Sequence, residues 1–152
     1  MFNWFQHKAE DYFTLQEKQL IALAINKSEL ETSGEIRVFV ESKCNYVNAM
    51  DRAKELFNKL DMHKTQDHNA VIVYVAIKDR QLAIYADEGI YKKTGVQFWD
   101  DELKQMINHF KQENVVDGLT KVVEHIGDAL KKHFPYQKDD KNELPNDIVF
   151  GK

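Results

Sequence analysis

The stretch HNAVIVYVAIKDRQLAIYADEGIYKKTGVQFWDD, residues 68–101, decides how this chain folds. AVIVYVAI at 70–77 is short, continuous and rich in β-branched residues, the pattern of a strand covered on both faces and therefore central in its sheet. Only Lys78 and Asp79 interrupt the apolar pattern before RQLAIYAD at 80–87, so the two runs are expected to form an antiparallel hairpin, without the Asn-Gly pair that marks the tightest turns. In such a hairpin the start of one strand lies beside the end of the other, which makes Asn69 and Asp87 neighbours. Asp87 and Glu88 then lead into an acidic loop in which Gly89 and Gly95 supply backbone freedom. Asp100, Asp101 and Glu102 are read as the first turn of the following helix.

Working outward, Thr14 followed by Glu17 makes a capping box, so a helix is expected to begin near Leu15, with the apolar block from Leu20 to Ile25 turned inward. After the break at Gly34, Ile36, Val38 and Val40 alternate with Arg37, Phe39 and Glu41 as in a half-buried strand. Met50, Ala53, Phe57 and Leu60 recur at helical spacing and predict a crossover helix between Val47 and Met62. Leu103 to Phe110 and Leu119 to Leu130 predict two more helices, with 114–118 between them. The fold class that follows is α/β: a three-layer α/β/α sandwich with a small mixed sheet of three to four strands flanked by helices. Residues 14–134 form one domain, preceded by a helical extension at 1–13 and followed by an extended arm at 135–152, pinned by Ile148, Val149 and Phe150.

At 152 residues the chain can bury roughly two-thirds of its unfolded surface around a single core. With 21 basic against 25 acidic residues it presents no global field for nucleic acid or anionic lipid. The single cysteine, Cys44, excludes an intrachain disulfide and a thiolate zinc cluster, and is read as an incidental thiol. The first residues carry charge and lack the pattern of a secretory signal, and no apolar run approaches the ~20 residues of a membrane span. These features lead to the expectation of a cytoplasmic monomer with no nucleic-acid partner and no transmembrane segment.

Several separated motifs then resemble one family. TSGEIRVFVE, HNAVIVYVAIKDRQLAIYADEGI, GVQFWDD and DGLTKVVEHIGDALKKHFP, with Glu143-Leu144-Pro145-Asn146 near the end, are similar in type and order to the TPM domain family. That family is named for a thylakoid lumen protein, a photosystem II repair protein and an acetylcholine-receptor modulator; the likeness is nearest to its soluble bacterial branch. The resemblance implies an α/β/α sandwich, divalent-metal binding as in some members, and the phosphatase activity proposed for some plant members. This chain departs from it in two places. His68-Asn69-Ala70 stands where many relatives have Asp-Asn-Gly, and Ala86-Asp87 stands where the branch has Gly-Asp.

The residues themselves suggest a hard-cation site. Asp87, Glu88, Asp100 and Asp101 could bring carboxylates from a strand end and a helix start to one ion, most readily calcium, with magnesium or zinc as alternatives. Against this stands a plainer reading, in which acidic residues early in a helix complement its dipole. His63, Asp67, His68 and Asn69 form a second polar cluster, suited to a transition metal or to supporting the first group. The expected metal residues are thus Asp87, Glu88, Asp67, Asn69, Asp100 and Asp101. Trp99 and Phe98 are read as packing, and the N-terminal Phe2, Trp4, Phe5 and Phe13 as a short helix closing the core. No Walker loop, Gly-x-Ser-x-Gly elbow or paired zinc-binding histidines occur. A metal-binding interaction or regulatory domain, with an unidentified protein partner, is favoured over a metal-assisted phosphomonoester hydrolase, for which Arg80, Lys92 and Lys93 alone could cradle phosphate. A scaffold that binds no ion is the third reading.

Overall fold

The computed structural model describes residues 9–136 and 148–152. The expected packing of Phe2, Trp4 and Phe5 and the Glu143–Asn146 motif lie outside the described residues. A 3-10 turn at Ala9–Tyr12 precedes helix α1, Leu15–Glu29. The capping box is formed: Thr14 Oγ1 accepts from Glu17 N at 3.1 Å, and Thr14 N donates to Glu17 Oε1 at 2.8 Å. Only part of the expected apolar block turns inward. Ile21, Ala24 and Ile25 are buried, while Leu20 and Leu23 lie on the opposite stripe and are exposed, because a continuous apolar run must wrap around a 3.6-residue helix.

Strand β1 spans Glu35–Glu41, β2 Ala70–Ala76 and β3 Gln81–Ala86, and the two-residue β4 is Val149–Phe150. They form one mixed sheet in the order β3-β2-β1-β4. β1 is parallel to both of its neighbours, with Glu35 opposite Ala70, and β2 pairs antiparallel with β3, with Val71 opposite Ala86. The hairpin and the central position of β2 are as the sequence implies, and of the apolar C-terminal triplet Val149 and Phe150 form the fourth strand while Ile148 packs against the core. β1 corrects its reading as half-buried: all seven residues are buried, Arg37, Phe39 and Glu41 included. Pairing on both sides and cover on both faces leave no solvent face for the polar half of its alternation.

Helix α2, Ala49–Lys59, connects β1 to β2 and covers one sheet face, where Ala53, Leu56 and Phe57 pack with Phe39, Ile72, Tyr74 and Ala83. The opposite face carries α1, α4 (Val96–Lys111) and α5 (Val115–His133), which meet Ile36, Val38, Val40, Val71, Val73 and Val75. Trp99 is buried there and Phe98 packs edge-on to it at 4.7 Å, so both are packing residues as read. Phe13 likewise belongs to this core. The helices differ from the sequence reading in three places, one of them the start of α4 at Val96 rather than at Asp100. A short helix α3, Glu88–Thr94, occupies the expected acidic loop, and α5 starts at Val115, so Gly118 is helical. Glycine at 118 permits the close approach of α4: a Cβ there would lie 2.9 Å from His109 Cβ.

Candidate functional site

Asp87 stands at the junction of β3 and α3. The hairpin register brings it beside the start of β2, where its N–H donates to Ala70 O at 2.9 Å. Its side chain is mostly buried. Oδ1 accepts from Glu88 N at 2.8 Å as the N-cap of α3, and Oδ2 faces His68 Nδ1 at 3.3 Å. His68 is half-exposed and holds a left-handed backbone, φ 49°, an uncommon state for a residue with a side chain. Its carbonyl accepts from Ile90 N at 3.2 Å, so the loop before β2 is stitched to α3. Gly89 allows this: a Cβ at 89 would fall onto the carbonyl oxygens of Asp67 and His68. Its role is close packing inside a helix, where the sequence reading had backbone freedom in a loop.

The side chains of the remaining expected ligands do not join this pair. Glu88 is adjacent but exposed, with Lys92 Nζ 3.9 Å away. Asn69 is backbone-adjacent to the junction, yet its amide turns away and donates to Ser33 Oγ at 3.2 Å. The residue that reaches Asp87 is therefore His68, which holds the left-handed turn, while Asn69 is buried against Ser33 and the start of β1. The Asp67 side chain is exposed, as is His63. Asp100 and Asp101 lie in the second turn of α4, since that helix begins at Val96. Both are exposed, and Asp101 is engaged by Gln97 Nε2 at 2.8 Å. Among the described residues no group of three or more His, Cys, Asp or Glu side chains is arranged to hold a metal ion.

Three polar clusters escaped the sequence reading. At the far end of β1, Glu41 accepts from Arg52 Nε and Nη2, both at 2.9 Å, and from the Tyr74 hydroxyl; Arg52 also binds Glu55, which is bonded to the Tyr46 hydroxyl. Burial, then the bond to Glu41, hold the Tyr74 hydroxyl well above the ordinary tyrosine range. Between α4 and α5, buried Glu102 meets His125 Nδ1 at 2.8 Å; burial raises the Glu102 carboxyl and His125 opposes the shift. At the base of β1, Glu29 Oε2 accepts from Ile36 N at 2.7 Å, and burial followed by the charge of Glu35 pushes Glu29 up to about 9. The signal available for all three was the alternation of charged residues on β1 and α4, which in isolation reads as a solvated face.

A four-stranded mixed sheet between helical layers, with a carboxylate–imidazole pair at a strand-to-helix junction, defines a small α/β/α domain. The chain belongs to the TPM domain family, whose model matches residues 7–129. A solved structure of similar sequence is the NMR structure of BA42 protein from the psychrophilic bacterium Bizionia argentinensis. The two chains are 41% identical over 95% of this chain and 99% of that one, with a TM-score of 0.85. The N-terminal domain of the cg2496 protein from Corynebacterium glutamicum shares the fold at 15% identity, over 78% of this chain and 74% of that one, with a TM-score of 0.62. No curated protein matches the sequence. No helix among the described residues is long and apolar enough to cross a membrane.

Proposed function

We propose that the β3–α3 junction binds a divalent cation through Asp87 and His68, and that the domain works as a cytoplasmic binding or regulatory module whose ion-organised surface meets a protein partner. The observation that carries this is the 3.3 Å between Asp87 Oδ2 and His68 Nδ1. Two ligands with metal bonds of roughly 2.0–2.1 Å at a tetrahedral angle lie about 3.3 Å apart, so the pair has the spacing of two ligands on one ion. Glu88 follows Asp87 in the chain but is exposed and turned toward Lys92, so the pair supplies two protein ligands and water the rest.

This donor set bears on which ion is bound. Calcium takes six to eight oxygens, whereas magnesium is held by one or two carboxylates with water completing its shell, and imidazole suits zinc. One carboxylate and one imidazole fit a sparsely held zinc or hydrated magnesium ion better than the calcium suggested by the sequence. Substitution separates the cases. His68→Ala should abolish zinc binding and leave magnesium binding nearly unchanged if the ion is hard; equal affinity of the wild type and His68→Ala for zinc would remove His68 from the site.

Phosphate hydrolysis is not favoured at this junction. Phosphate needs a cationic cradle, and the nearby Lys92 is drawn to Glu88 while Ala70 pairs with Glu35 of β1 and Ala86 with Val71 of β2. Turnover of a small phosphomonoester should stay below about 1 per second in whichever ion binds. A higher rate, lost in Asp87→Asn with the fold intact, would favour the hydrolase.

A further inference from the structure

The other end of the sheet holds a larger feature. Where β1, β2 and β4 reach their C-terminal ends, a cleft of about 1130 Å³ opens between the rim of the sheet and α2. Carboxyl ends of parallel strands are where open α/β sheets bind ligands. The Asp87 junction sits at the opposite, N-terminal end of the parallel strands, about 20 Å away along β1.

Lys43, Arg52, Lys59, Lys78 and Lys152 line this cleft, against two carboxylates, Glu10 and Glu41. Both carboxylates are already matched, Glu41 by Arg52 and Tyr74 and Glu10 by Lys18. The four lysines make no salt bridge among the described residues. Lys59 acts on Glu55, and Lys43, Lys78 and Lys152 gather at one rim in a chain of net charge −4. The floor is apolar and aromatic, from Phe39, Leu56, Leu60 and Phe150.

The rim is also fixed in place. Ser42 N donates to Lys152 O at 2.9 Å, Lys78 N to Ser42 O at 2.8 Å, and Cys44 N to Asp79 Oδ2 at 2.8 Å, which ties the β1–α2 loop to the hairpin turn and to the end of β4. Gly151 lies close over Phe39, where a Cβ would stand 2.9 Å from its ring. A concave, pre-formed site with apolar walls and convergent cations is the architecture of a small-molecule pocket.

We propose that this cleft binds a small organic anion, a carboxylate or phosphate carried on a flat apolar body. The oxyanion meets the lysines at the rim, and the apolar part lies against Phe39, Leu56 and Leu60. The test is titration of the isotopically labelled protein with phenyl phosphate, phenylacetate and inorganic phosphate, followed through its backbone amide signals. Saturable shifts are expected at residues 42–45, 78 and 151 with at least one aromatic probe, which should bind more tightly than inorganic phosphate. The stronger aromatic probe identifies the oxyanion. The double charge reversal Lys43→Glu with Lys78→Glu should weaken that binding at least tenfold, while Lys104→Glu on the other helical layer leaves it unchanged. Raised ionic strength should weaken it in the wild-type protein as well, which needs no variant. Absence of saturable shifts up to about 10 mM of either aromatic probe, or shifts indifferent to both salt and the double reversal, would overturn the proposal.

Discussion

Glu29 shows how much one buried carboxyl can govern. It ends α1, closes an N–H on the open side of β1 where β4 does not reach, and sits beside Glu35 and Arg37. Its folded-state value near 9 lies above the ordinary 4.5, so between these values the folded chain holds a proton that the unfolded chain has released. The resulting stability is fully present below about pH 4.5 and is lost as pH rises through 9, at up to about 1.4 kcal/mol per pH unit. Glu29→Gln keeps an acceptor for Ile36 N and removes the titration. Thermal melts from pH 5 to 9 should show a flatter profile for this variant and a higher midpoint than wild type at the alkaline end; parallel profiles would contradict the assignment. Arg52 is the second such residue. Removing it as Arg52→Leu leaves the Glu41 carboxylate buried beside Tyr74 and should cost about 3 kcal/mol in urea unfolding. Adding Glu41→Gln should recover part of that loss, since no uncompensated charge then remains.

At the scale of elements, the tightest constraint is the seat of α3 on the loop before β2. Gly89→Ala would push a methyl onto two backbone carbonyls that no rotamer change can move. A loss of about 2 kcal/mol or more is expected, together with a displaced His68 ring signal. Wild-type stability in that variant would refute the close approach. The elements most legible in the sequence were those whose pattern has one physical solution: the Thr14–Glu17 box, the continuous β2 run, and the hairpin enforced by a two-residue polar break. β1 was legible as a strand and misleading as to burial. Arg37 and Glu41 become buried only because β2, β4 and α2 enclose them, and no local pattern encodes that enclosure. α3 was missed for a related reason. Its seven residues have too little periodicity to register, and it is stabilised by the Asp87 cap and by Ile90 in the core. The hairpin brings Asp87 to Ala70, one residue beyond the expected neighbour Asn69. The side-chain partner was not legible, because it depends on the left-handed turn at His68.

Across the whole molecule, the parallel pair of strands has two chemically distinct ends. One carries the Asp87–His68 pair with Glu88 beside it; the other carries a cleft lined by four lysines and Arg52. A net charge of −4 records neither, since a sum over the whole chain carries no positions. The expected six-residue ligand set is not brought to one point: Asp100 and Asp101 travel with α4, Asn69 turns to Ser33, Asp67 adjoins the junction through its backbone with its side chain exposed, and Asp87 and Glu88 remain adjacent, with His68 facing Asp87. Cation binding at that junction is the central claim, and calorimetric titration of the metal-stripped protein with zinc, magnesium and calcium tests it most directly. The account predicts saturable binding of zinc or magnesium at one site, weakened tenfold or more, on the order of 1.4 kcal/mol, by Asp87→Asn. No heat of binding with any of the three ions, or an affinity unchanged by Asp87→Asn, would contradict it.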